Sequence, residues 1–176
     1  MERTDYMHPY HHPLFVNFIV YFNRNQDYFE CHEVLEEYWK SIPDSDKDHP
    51  LTAYILLATG MYHWRRGNKP GASRTLNKAM TKFPTFLANY PKYTEEIDFD
   101  QLVYDVTKAV NRLEQDLPFE SFPITILSAN VTDLASKLEQ SMTLLPFGSD
   151  AVIHKHMLRD RTDILREREE KKKGRR

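Results

Sequence analysis

Pro50-Leu51-Thr52-Ala53-Tyr54-Ile55-Leu56-Leu57-Ala58-Thr59-Gly60-Met61-Tyr62-His63-Trp64-Arg65-Arg66 is apolar around nearly its whole circumference at helical spacing. A helix with so little polar surface cannot face water, so it must sit in the middle of a helical bundle. Its ends are marked as well. Pro50 suits the start of a helix, and Gly67-Asn68 supplies the left-handed stop. The polar exceptions Thr52, Thr59, His63 and Arg66 fall on one narrow stripe when turned at 100° per residue.

The segment before it reads Asp27-Tyr28-Phe29-Glu30-Cys31-His32-Glu33-Val34-Leu35-Glu36-Glu37-Tyr38-Trp39. Asp27 as N-cap with Glu30 three residues on predicts a helix over about 27–42. Tyr28, Cys31, Leu35, Tyr38, Trp39 and Ile42 form its apolar stripe. His32 lies on the edge of that stripe beside Trp39, with Glu36 one turn further on. Glu30, Glu33 and Glu37 turn toward solvent. Antiparallel packing across the short loop from Pro43 to Pro50 would bring His32 and Glu36 to the stripe holding His63 and Arg66. The expected polar cluster is therefore His32, Glu36, Trp39, His63, Arg66 and Asn68.

Further out, the apolar spacing predicts helices over about 13–24, 70–82, 100–116 and 132–144, and one from 149 or 150 toward 170. Pro91 opens a loop, Pro118–Pro123 is an extended link, and Ile124–Leu127 fits either helix or a short strand. The expectation is an all-α, compact single-domain bundle of about six to seven helices. Residues 1–12 would be a flexible N-terminal arm, 13–147 the bundle and 148–176 a basic C-terminal helix and tail.

Composition narrows the classes. Five glycines argue against a turn-rich β protein, and 28% charged residues with a net charge of −2 give no general pull toward nucleic acid or anionic lipid. The charge is uneven, because Ala151–Arg176 carries ten Lys/Arg against five Asp/Glu. A single cysteine rules out an internal disulfide and fits a reducing, cytoplasmic setting. No apolar run approaches the ~18 residues of a membrane span, so no membrane is expected.

Three segments in this order and spacing, Asp27–Trp39 with its His-Glu-Val-Leu-Glu-Glu core, Tyr62–Asn68, and Ile97-Asp-Phe-Asp-Gln-Leu102, resemble the domain of unknown function 309 family. The resemblance spans roughly residues 14–117. His154–Arg161 is similar to the extended C-terminus of Bacillus-type members. It implies a compact α-helical bundle and no particular activity.

For function, the first reading is a structural or interaction module held by, or displaying, the His/Glu/Arg cluster. The rival is a metal-dependent or acid–base hydrolase-like enzyme using His32, Glu33, Glu36 and His63. Its catalytic candidates are His32, Glu33 and Glu36, and its metal ligands His32, Glu36 and His63. The pattern lacks both the paired Glu-x-x-His of di-iron bundles and the second histidine of a zincin helix, so no metal and no cofactor are expected. A third reading is nucleic-acid association through the basic tail, although nucleic acid is not the expected partner. Phe119 and Phe122 beside prolines leave a homo-oligomer open. His8, His11 and His12 read as part of the arm, able to pick up adventitious metal.

Overall fold

A computed structural model describes residues 7–154 of the chain. The long helices are α1 (Pro13–Val20), α2 (Tyr28–Ser41), α3 (Pro50–Arg65), α4 (Lys69–Lys82), α6 (Phe99–Glu114) and α7 (Ala129–Ser141). Two single-turn pieces, α5 (Phe86–Asn89) and α8 (Asp150–Ile153), complete the α set, and 3-10 turns occupy Pro9–His11, Phe83–Thr85 and Pro91–Thr94. Among the described residues no β-strand forms. A single antiparallel bridge, Ile97 to Ile126, settles the ambiguous Ile124–Leu127 segment as extended chain. The chain is all-α, as the periodicity requires.

Helix α3 is the hub. It packs against α2 on one side and α4 on the other, α1 lies on α2, α6 on α4, and α7 returns to α1 and the Pro9–His11 turn. Burial follows the sequence pattern, with Leu51, Ala53, Tyr54, Leu57, Ala58 and Met61 all fully enclosed. Gly60 permits the closeness of α3 and α4, since a Cβ there would stand 2.5 Å from Cγ of Leu76. The core around α3 is aromatic. The Tyr54 ring is met by Phe15 at 5.3 Å, Phe18 at 5.5 Å and Phe83 at 5.0 Å. Such edge-on pairs add to the burial term.

Several boundaries moved for physical reasons. The first helix leaves α geometry after Val20 for one π turn, Tyr21–Asn25, which ends at Gln26 with a left-handed φ of 54°. That swerve lets Asp27 cap α2 by accepting the Glu30 N–H at 3.2 Å. After Pro84 the chain continues in short turns to Thr94, because Phe83 and Phe86 are buried and hold it down.

The N-terminal arm needs correction from residue 8 onward. Tyr10 is wholly buried, its hydroxyl meets that of Tyr54, and it donates to the Tyr93 carbonyl. His8–His12 are thus part of the body: an aromatic anchor at Tyr10 outweighs the polar character of its neighbours. At the other end, the basic helix and tail lie outside the described residues apart from α8, whose Val152 is buried. No helix among the described residues is long and apolar enough to cross a membrane.

Candidate functional site

Helical spacing places His32, Glu36 and Lys40 in one row on α2. His32 Nε2 lies 3.4 Å from Glu36 Oε2, its Nδ1 lies 3.5 Å from Glu33 Oε1, and Lys40 Nζ lies 2.6 Å from Glu36 Oε1. The row is half-solvated, with His32 at 32% and Glu36 at 34% side-chain exposure. The hydrogen bond from Lys40, aided by the charges of His32 and Lys40, holds the Glu36 carboxyl below the usual carboxylate range against an opposing push from burial. Tyr28, Cys31, Leu35 and Tyr38 face the core behind it. Cys31 is fully buried, and burial raises its thiol well above the ordinary range, so it is no thiolate nucleophile.

Across the helix pair, Asn68 Nδ2 donates to His63 Nδ1 at 3.1 Å while Asn68 Oδ1 accepts the Gly71 N–H at 3.2 Å and caps α4. Gly71 eases this approach, since a Cβ there would stand 2.7 Å from Asn68 Nδ2 and 3.1 Å from the His63 ring. Arg66 sits 5.0 Å over the Tyr62 ring rather than on Glu36. Trp39 turns away to donate to the Asp46 carbonyl at 3.0 Å, which pins the loop after α2. Phe29 of α2 and Tyr62 of α3 join the two sides, their rings 6.1 Å apart. Of the expected cluster, His32 thus meets Glu36 within α2 and His63 meets Asn68, while Arg66 stacks on Tyr62 and Trp39 bonds the loop after α2.

Arg65, outside the expected cluster, ties two helices together. Its guanidinium lies 4.6 Å over the Tyr28 ring and donates to the Gln26 carbonyl at 2.8 Å, tying the end of α3 to the start of α2. Near it, Trp64, Arg65, Leu113, Leu117 and Phe119 line a cleft of about 390 Å3. A larger cleft, about 660 Å3, opens between His49, Lys82, Phe86 and Tyr90. Neither is lined by His32, Glu33, Glu36 or His63.

A second histidine–carboxylate group lies at the N-terminal turn. His8 Nδ1 is 3.0 Å and His11 Nε2 2.7 Å from the two Glu96 oxygens, and His8 Nε2 is 3.6 Å from Glu95. Ser128 donates to Glu96 Oε1 at 2.8 Å. Burial pushes the Glu96 carboxyl up, but hydrogen bonds from His11 and Ser128 and the charges of both histidines hold it below its usual range. The group needed Tyr10 to dock the turn. One signal was present in the chain: His8-Pro9, His12-Pro13 and His49-Pro50 repeat a dipeptide. In each, the histidine Nδ1 accepts the N–H two residues on at 3.1 Å, with proline at the first helical position.

A family model described as "Domain of unknown function (DUF309)" matches residues 15–75, which hold most of α1, all of α2 and α3, and the first half of α4. The uncharacterized protein YpuF of Bacillus subtilis (strain 168) is 31% identical over 163 residues, covering 88% of this chain and 91% of that protein. The chain belongs to the DUF309 family. Among solved structures nothing matches. In this DUF309 member the matched stretch contains the α2 row, His63 and Asn68, but neither His8, His11 nor Glu96.

Proposed function

We propose that this DUF309 protein is a non-enzymatic interaction module, and that the face formed by His32, Glu33 and Glu36, with His63, Arg66 and Asn68 beside it, contacts a partner protein. One observation carries the reading. Glu36 is held ionised by Lys40 and His32 on an outward helix face, the opposite of a carboxyl tuned toward neutrality in a closed cleft. Such a row offers alternating charge, and Arg66 over Tyr62 adds a flat cationic surface next to it. A partner of complementary alternating charge fits. The single cysteine, buried as a free thiol, is in keeping with a cytoplasmic setting.

A photo-crosslinking residue at Glu33, installed in the full chain in living cells, tests this. One discrete protein adduct is expected, lost on His32→Ala with Arg66→Ala while the unfolding midpoint stays put. Adducts identical to those from the same residue placed at the exposed Tyr104 would overturn it.

A further inference from the structure

We propose that His8, His11 and Glu96 form a binding site for a divalent transition-metal ion, with Zn2+ the best chemical match. One ring nitrogen from each histidine and one Glu96 oxygen all lie within 4.8 Å of one another. First-row ions bind nitrogen and oxygen at about 2.0–2.2 Å, which sets neighbouring ligand atoms roughly 3 Å apart. The 3.0 Å from His8 Nδ1 to Glu96 Oε2 and the 2.7 Å from His11 Nε2 to Glu96 Oε1 are of that size. Small side-chain rotations suffice to gather the rest.

The polar accounting also points to a cation. His8 Nδ1 accepts the Tyr10 N–H at 3.1 Å, so in the neutral ring it is an acceptor only 3.0 Å from the acceptor Glu96 Oε2, and an ion taken by Nδ1 would displace the Tyr10 N–H. A cation shared between the two acceptors relieves their opposition. Glu96 Oε2 and His8 Nε2 are buried with no hydrogen bond, in a region where such atoms ordinarily find one. The corner is nevertheless reachable from solvent, since side-chain exposure is 12% for His8, 24% for His11 and 18% for Glu96.

Supporting contacts resemble those that orient metal ligands. Ser128 Oγ bonds Glu96 Oε1, and the Glu96 carbonyl accepts the Leu127 N–H at 2.9 Å and the Ser128 N–H at 3.1 Å. Glu95, 55% exposed, stands beyond His8 Nε2 as an outer partner or a further ligand. Two imidazoles and one carboxylate select Zn2+, Fe2+ or Mn2+ over Mg2+ and Ca2+, which favour all-oxygen shells. The ion would join residues 85 apart in sequence, clasping the N-terminal turn to the corner before α6.

The test uses the full chain made without a histidine tag and stripped with chelator. Zn2+ titration by calorimetry, with Mg2+ as control, should show one equivalent bound at micromolar Kd or tighter. Binding should weaken at least about tenfold in Glu96→Gln and in His11→Gln, while His32→Ala and a His154→Ala/His156→Ala double variant bind as the parent does. Nitrogen-detected NMR of the unaltered protein supplies a readout free of folding effects: Zn2+ should shift the ring signals of His8 and His11. Absence of saturable Zn2+ binding, retention of it in both Glu96→Gln and His11→Gln, or shifts confined to other histidines would each overturn the proposal.

Discussion

Two histidine–carboxylate groups in this protein share their chemistry and differ in origin. His32 and Glu36 meet because they are four residues apart on α2, and any helix there would bring them together. His11 and Glu96 meet across 85 residues, because Tyr10 is locked into the aromatic core and carries the Pro9–His11 turn with it. The first pair is solvated and tied to a surface lysine. The second is mostly enclosed, backed by Ser128, and leaves buried atoms without hydrogen bonds. Proximity from helical periodicity costs the fold little and carries little strain. Proximity built by tertiary packing is the kind that holds polar atoms in unsatisfied positions.

The strongest way to break the contrast is Tyr10→Ala. Removing a fully buried ring that contacts Tyr54 and Phe15 should cost about 3–5 kcal/mol of unfolding free energy in denaturant titrations. It should also abolish the His8–His11–Glu96 group while leaving the α2 row intact. A loss below about 1 kcal/mol would mean that the turn is not anchored by this ring. Next in size, Glu96→Gln removes a charged acceptor from His11 and Ser128 and the charge facing His8, for about 1–2 kcal/mol measured in metal-free buffer.

A pH titration probes one of the capping histidines. Burial lowers the His49 imidazole below its usual value, with the Asp46 charge opposing. A folded value beneath the unfolded one means the unfolded chain binds more protons, so stability is complete above about pH 6.5 and declines as pH falls below it. Asp48, Lys82 and Tyr90 share the cleft with His49, and Tyr93 meets its ring at 5.8 Å. His49→Asn keeps a capping side chain and should flatten the decline; an unchanged pH profile would assign it elsewhere. The smallest effect is expected from Glu36→Gln, which should lower Tm by no more than about 2 °C, as for an exposed helix pair. A larger drop would make the α2 row a structural network.

The chain's fold was legible where periodicity was strong. Thirteen residues from Asp27 to Trp39 and the apolar run from Leu51 to Trp64 set α2, α3 and their packing, and His32 and Glu36 sit half-exposed on the edge of the apolar stripe as the helical angle demands. Arg66 reached Tyr62 instead of Glu36, and Trp39 reached Asp46, because helix spacing gives the face of a side chain but not its rotamer. The polar run His8–His12 concealed a core residue. Tyr10 stands between histidines and prolines, and its burial became visible only against Tyr54 and Tyr93.

Local rules were enough to establish the main helices, the Asp27 cap, the all-α class and the row on α2, since each depends on residues within a turn or two of one another. Long-range packing alone decided the seating of the N-terminal turn, the left-handed Glu96 at the corner before α6, and hence the meeting of His8, His11 and Glu96. Contacts between distant residues arise from which apolar rings share a core, and no spacing along the chain encodes that.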